Sequence, residues 1–297
     1  MTTDQRRATS MDEFVELQSG MAQEGMIDAI RNFRPTPTDV IISPFGKCGT
    51  TWLQQMVHTL RTGGDTDYDD ISRVVPWIET APLLGVDLDA PQKAPPRAFK
   101  SHLAWDQIPK GAKYLVSIRD PKDALVSMFH FMNGWFIEPG SVSIDEFALG
   151  PMTQRGQKRD YWHHLASWWR VRDQDNVLLL TYEGMVRNPQ DTVRQIADFI
   201  GIFADAQLLQ ITMEHTSLDY MLTNKHQFDD RLMREMSESR LGLPGGSDSA
   251  KVRAGKIGAR GELSPATGAR LDDIWTQTIG EELGFASYDE LASALAD

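Results

Sequence analysis

PFGKCGTTW occupies residues 44–52, and its reading decides the fold of the whole chain. The β-branched run Val40-Ile41-Ile42 leads into it, and an amphipathic stretch over 51–60 leaves it. A strand, a tight turn carrying Gly46 and Gly49, and then a helix bring several unpaired backbone N–H groups together at a helix start. Such a point holds phosphate or sulfate through those N–H groups and the helix dipole together. Thr50 and Thr51 add hydroxyl donors, and Lys47 adds a mobile point charge. The familiar nucleotide cradle, however, ends in Gly-Lys-Ser/Thr, with its lysine after the last glycine. Here Lys47 precedes Gly49. An ordinary strand-turn-helix connection in which Thr50 only caps the helix fits the same residues.

Outward from the turn, short apolar runs alternate with longer amphipathic ones. Arg97-Ala98-Phe99-Lys100, Tyr114-Leu115-Val116-Ser117-Ile118 and Val177-Leu178-Leu179-Leu180 read as strands. Helical patterns cover 51–60, 121–131, 161–169 and about 189–200, the last stopped by Gly201. This alternation predicts an α/β fold with a central parallel β-sheet flanked by helices and right-handed crossovers. In such sheets ligands sit beyond the carboxyl ends of the strands. That rim collects residues 45–51, Ser101-His102, Arg119-Asp120 and Tyr182-Glu183. Residues 1–37 read as a polar lead-in with one helical patch, and 38–297 as a single domain.

With 297 residues, 41% of them hydrophobic, the chain can bury a substantial core. A net charge of -12 argues against a nucleic-acid surface, which needs a basic face, but leaves room for a local basic pocket. Cys48 is the only cysteine, so no intramolecular disulfide can form. The start MTTDQRRATSMDEF has no apolar core, and no run approaches the roughly 18 apolar residues of a membrane span. The expectation is a cytoplasmic protein with no integral membrane association.

Two further elements suggest chemistry. Arg119 leaves a strand end and Ser127 follows two helical turns later; an arginine fork plus a hydroxyl suits a second phosphate. A salt-bridged Arg119-Asp120 pair, with Pro121 opening the helix, is the plainer reading. His102 ends a strand at the ligand rim, where an imidazole can serve as general base or as a structural hydrogen-bonder. The basic, glycine-rich segment Lys251 to Arg260 suits either a solvated loop or a lid over an anion. No cysteine cluster or HExxH spacing suggests zinc.

In combination these pieces resemble the sulfotransferases that use 3′-phosphoadenosine 5′-phosphosulfate (PAPS), of the cytosolic small-molecule type. PheGlyLysCysGlyThrThrTrp (45–52) looks like the family's Tyr-Pro-Lys-Ser-Gly-Thr-Thr-Trp loop. LysSerHisLeu (100–103) resembles its Lys-Thr-His-Leu element, and ArgAspProLysAspAlaLeuValSer (119–127) its 3′-phosphate element. ValProTrpIleGlu (75–79), GluProGly (138–140), SerTrpTrp (167–169) and TyrGluGlyMet (182–185) follow in the family's order. HisThrSer (215–217) and ArgAlaGly (253–255) are similar to late elements that close over the nucleotide. The resemblance spans about residues 38–262.

It implies a P-loop-like nucleotide-binding core and in-line transfer of a sulfuryl group from PAPS to a hydroxyl or amine of a small-molecule acceptor. The product nucleotide is 3′-phosphoadenosine 5′-phosphate (PAP), and no metal is required. By resemblance His102 is the catalytic base, Lys47 stabilises the leaving oxygen, and Lys100 orients or neutralises the sulfuryl group. Lys47, Cys48, Gly49, Thr50 and Thr51 hold the 5′ end; Arg119, Ser127 and Arg253 hold the 3′-phosphate. Trp52 meets the adenine with Tyr182 and Thr216 nearby, and Ala254 and Gly255 belong to the closing element. Trp77 and Phe131, with His102, line the acceptor pocket, and Trp105, Trp135 and Phe136 are further candidates.

The departures are specific. Gly46 replaces the loop proline, Cys48 replaces its serine, and Ala254 stands where lysine is common, with Lys256 two residues on. ArgGlyGluLeuSer replaces the usual Asp-Trp-Lys and looks like bacterial members, and the animal dimer motif is not recognisable. The alternatives are an ATP-dependent small-molecule kinase and the same sulfuryl transfer to a glycolipid or carbohydrate hydroxyl. A kinase would want Gly-Lys-Ser/Thr, a magnesium-binding carboxylate and no 3′-phosphate receptor.

Overall fold

The computed structural model describes residues 5–21, 24–150, 153, 160–247, 249, 251–252, 255 and 257–296. Four parallel strands form its sheet: β1 (Val40–Ile42), β2 (Ala98–Lys100), β3 (Lys113–Ile118) and β4 (Val177–Thr181), in the order β2-β1-β3-β4. Ile42 pairs with Lys100 on one side and Leu115 on the other. These are the four expected strands. Because successive side chains of a strand point to opposite faces, the apolar runs feed two separate cores. Ile41, Tyr114, Val116 and Leu179 pack on one face, and Val40, Ile42, Leu115 and Leu180 on the other. Burial on both faces explains why the strands read as continuous apolar runs rather than alternating ones.

The strand order has one switch point. From β1 the chain crosses to β2 on one side, then returns past β1 to β3 on the other. The carboxyl ends of β1 and β3 therefore diverge into loops with a crevice between them. The turn at 44–49 leaves β1 into helix Thr50–Thr62, and Arg119 leaves β3 into helix Pro121–Met132, with Pro121 at its first turn. Gly201 ends helix Pro189–Ile200 in the left-handed region at φ 80°, as its position in the sequence suggested.

The lead-in differs from its sequence reading. It holds two helices, Met11–Ser19 and Glu24–Asn32, rather than one. The Ser10 side chain caps the first by accepting from the Glu13 N–H, and Phe14 is buried against Phe136 and Phe147. Ala8 exchanges backbone hydrogen bonds with the 136–138 segment, at 2.8 Å to Phe136 O and 2.8 Å from Glu138 N. Tertiary packing, not local propensity, sustains these short helices.

Candidate active site

The turn after β1 has a geometry that suits an anion. Gly49 takes φ 100°, and a Cβ there would lie 3.1 Å from a Tyr182 ring carbon and 3.3 Å from Ser117 Oγ. Only glycine combines that dihedral with that close approach. Lys47 also sits in the left-handed region, at φ 67°. Ser117 fixes the turn by donating its hydroxyl to the Cys48 carbonyl. Gly49 is the cap position of helix Thr50–Thr62, and among the described residues no side chain makes a cap hydrogen bond there. Thr50 is thus the first helical residue and not its cap. Its hydroxyl is buried and has no hydrogen-bond partner among the described residues. A buried, unsatisfied hydroxyl at an open helix N-terminus fits an anionic oxygen.

One cavity of about 1120 Å³ gathers most of the expected site. Its wall includes Lys47, Gly49, Thr50, Thr51, Trp52, Trp77, Lys100, His102, Arg119, Ser127, Phe131, Tyr182, Thr216 and Gly255. Cys48 is the exception. Its thiol is fully buried in the core on the β1 face that holds Ile41, and its N–H closes the turn onto Phe45 O at 3.1 Å. The expected ligand contact through Cys48 is therefore corrected, because the turn directs that side chain inward. Trp105 likewise packs against Tyr114 and Trp168 instead of the cavity, whereas Trp135 and Phe136 do line it. Arg253, Ala254 and Lys256 lie outside the described residues.

Cations converge here despite the acidic chain. The Arg119 guanidinium lies 4.4 Å from the Tyr182 ring centre and donates to Lys47 O at 3.1 Å. Lys47 Nζ lies 4.3 Å over Phe131, and Lys100 Nζ lies 3.9 Å over Trp77. Burial, reinforced by neighbouring cations such as Lys251, lowers the Lys47 pKa to about 7. Burial lowers that of Lys100 to about 8, with Asp230 opposing. Both ammonium groups gain from an arriving anion, which restores the charge that burial penalises.

His102 projects beside Lys100 and edge-on to Trp77, with ring centres 5.1 Å apart. Its Nδ1 donates to Pro44 O at 2.7 Å, and its backbone N–H donates to Glu79 Oε1 at 2.8 Å. Since a carbonyl can only accept, the ring proton is on Nδ1 and Nε2 is the basic atom. Burial first and the Lys100 charge second lower the His102 pKa to about 3, so the imidazole is neutral near pH 7. Trp52 turns its indole N–H to Thr216 O at 2.8 Å and its ring edge-on to Tyr182. Asp120, read from sequence as a partner for Arg119, instead pairs with Arg260 at 2.7 Å. Asp123 accepts the N–H groups of Gly258 and Arg260 at 2.7 and 2.8 Å, tying the late segment to helix Pro121–Met132.

Sequence reasoning missed part of the wall. Met21, Met26 and Ile27 reach it from the lead-in, and Asp230 reaches it from the start of helix Arg231–Leu241. None carries a sequence signal, since each is placed by a long-range contact.

Fold and site together define an α/β protein with a nucleotide-type anion cradle and a neutral histidine beside it. The sulfotransferase domain family matches residues 37–281, and the chain belongs to that family. It is 27% identical to human sulfotransferase 1C2 over 289 residues, covering 91% of this chain and 94% of the relative. It is 31% identical to mouse sulfotransferase 1B1 over 214 residues, covering 66% and 70%. Among solved structures it resembles retinol dehydratase in complex with retinol and PAP, with a TM-score of 0.67, 21% identity and coverage of 92% and 96%. Mouse sulfotransferase SULT7A1 complexed with PAP gives a TM-score of 0.66 at 19% identity, with 93% of each chain covered. The protein is accordingly a sulfotransferase, and the kinase alternative is not favoured.

Proposed function

We propose that this sulfotransferase moves the sulfuryl group of PAPS to a hydroxyl or amine of a small-molecule acceptor, with His102 as general base. The observation that carries the reading is the convergence on one cavity of two separate anion receptors and a histidine with a free Nε2. The donor supplies an activated sulfur–oxygen bond. Gly49, Thr50 and Thr51 hold its 5′ end at the helix start, and Arg119 and Ser127, with Arg253, hold the 3′-phosphate. Trp52, Tyr182 and Thr216 frame the base. Lys47 meets the charge that develops on the bridging oxygen, and Lys100 steadies the sulfuryl oxygens. His102 Nε2 takes the acceptor proton, held to its task by the Pro44 hydrogen bond. Trp77 and Phe131 flank it as walls for an apolar acceptor.

This assignment favours a small-molecule acceptor, since Trp77, Phe131, Trp135 and Phe136 make that end aromatic. A cytoplasmic location is part of the same proposal, supported by a lone, buried cysteine. Calorimetry with PAP and with ATP, followed by a labelled-sulfate transfer assay over an acceptor panel, tests the reading. Tight PAP binding with weak ATP binding is expected; preference for ATP, or no transfer to any acceptor from labelled PAPS, would sink it.

A further inference from the structure

Asp230 is a buried carboxylate inside a site made for anions. It opens helix Arg231–Leu241 in the left-handed region at φ 54°, with its side chain 4% exposed. One oxygen, Oδ1, lies 2.5 Å from Lys251 Nζ and 4.0 Å from Lys100 Nζ. Its backbone is anchored on both sides. Asp229 pairs with Arg234 at 2.7 Å and accepts the Ser249 hydroxyl on its carbonyl at 2.9 Å, and the Leu232 N–H donates to Asp70 at 3.1 Å. Burial alone would push this carboxyl up; Lys251 and Lys100 override it and hold its pKa at about 2. The carboxylate is therefore held in its ionised form by the two lysines.

Such a group is unexpected if the site only maximised anion affinity. With both lysines charged, Lys100 and Lys251 present two positive charges and Asp230 leaves one, while the same carboxylate opposes the burial that lowers the Lys100 pKa. We propose that Asp230 is a positioning residue that acts through Lys100 and Lys251 and sets the preference for donor over product. It holds the two ammonium groups at the sulfuryl end and competes there with the sulfuryl group for them. PAP has a 5′-phosphate for Lys47 and the turn but no sulfuryl group, so the competition bears mainly on the donor, while the support Asp230 gives the Lys47 charge is common to both nucleotides. The inference rests on the PAPS reading above.

The test is calorimetry of PAPS and of PAP, without acceptor, on wild type and Asp230→Asn. Asparagine tolerates the left-handed backbone and is nearly isosteric, so it removes the charge with little else. The expected result is that PAPS binds on the order of tenfold tighter, the scale of one like-charge contact removed from a partly desolvated site. PAP affinity should change by less than about threefold by the same argument. Lys251→Gln, which leaves the carboxylate with less compensation, should move the PAPS-to-PAP ratio the other way. Circular dichroism checks that each variant is folded; if Asp230→Asn is not, the Lys251→Gln ratio decides. An equal change for both nucleotides in Asp230→Asn, or an unmoved ratio in Lys251→Gln, overturns the inference. If wild type binds neither nucleotide, the donor reading itself falls, a separate outcome.

Discussion

The Nδ1 atom of His102 lies 2.7 Å from the Pro44 carbonyl oxygen, so one hydrogen bond ties the candidate base to the turn that starts the anion cradle. The bond fixes tautomer and orientation together. His102→Ala should lower sulfuryl transfer about 10²–10⁴-fold, the usual contribution of a positioned base. Donor binding should be nearly intact, because the cradle groups Gly49, Thr50 and Arg119 lie on other segments. A labelled-sulfate assay with calorimetry on the same sample separates the two effects, and normal turnover would end the base assignment.

Lys47→Ala and Arg119→Ala should instead act on binding. Each removes a charged hydrogen-bond donor, a contact worth roughly 1.5–3 kcal/mol, or about a tenfold to hundredfold loss of affinity for PAP. Arg119 also braces the turn through Lys47 O at 3.1 Å, so its loss should weaken the 5′ end as well. Calorimetry reads both, and unchanged affinity in the two variants would move the nucleotide site elsewhere in the chain.

How far the sequence carried this picture depends on whether a residue's neighbours were local. The four strands and the turn at 44–49 were legible because burial on both faces leaves apolar runs and because the turn needs glycine at φ 100°. His102 and Arg119 were legible as rim residues because each follows a strand, and Ser127 because it lies two helical turns beyond Arg119. Asp230 was not, since nothing in the run from Gln227 to Arg231 marks a carboxylate that folds back onto Lys100, more than a hundred positions earlier in sequence. The helices of the lead-in were half missed for the same reason: Phe14 finds its partners at Phe136 and Phe147. Cys48 was misplaced because a motif match gives backbone position but not which way a side chain in a left-handed turn projects.

Nucleotide binding should take up protons. With pKa values of about 7 and 8, Lys47 and Lys100 are partly deprotonated in the free protein at pH 8. A bound polyanion raises both, since it favours the charged form. Affinity for PAPS, whose phosphosulfate meets both lysines, should therefore be greatest below pH 7 and decline as pH rises through 7–9, levelling once both lysines are neutral in the free protein. Titrations at pH 8 in buffers of different ionisation enthalpy measure the effect directly. Zero net uptake would mean that the two lysines are already fully charged before binding.

Cys48 supplies the last prediction, because it stands where related loops carry serine and yet does not reach the cavity. Its thiol makes a long contact, 3.8 Å, to Gly46 O and meets the Arg119 backbone N–H, and burial pushes its pKa up to about 12. Two consequences are opposite in kind. Toward a thiol reagent the native protein should be almost inert, with reaction appearing only as denaturant opens the core, since the thiolate is the reactive form. Cys48→Ser should leave PAP affinity within about twofold, because one side chain facing away from a ligand is replaced by another of similar size. Stability should instead fall by roughly 1–3 kcal/mol, the cost of a poorly partnered hydroxyl in an apolar core. Thermal melting and calorimetry on the one variant read both quantities. A gain in affinity of tenfold or more would show that the hydroxyl reaches the anion and that the thiol had been withholding a contact from it.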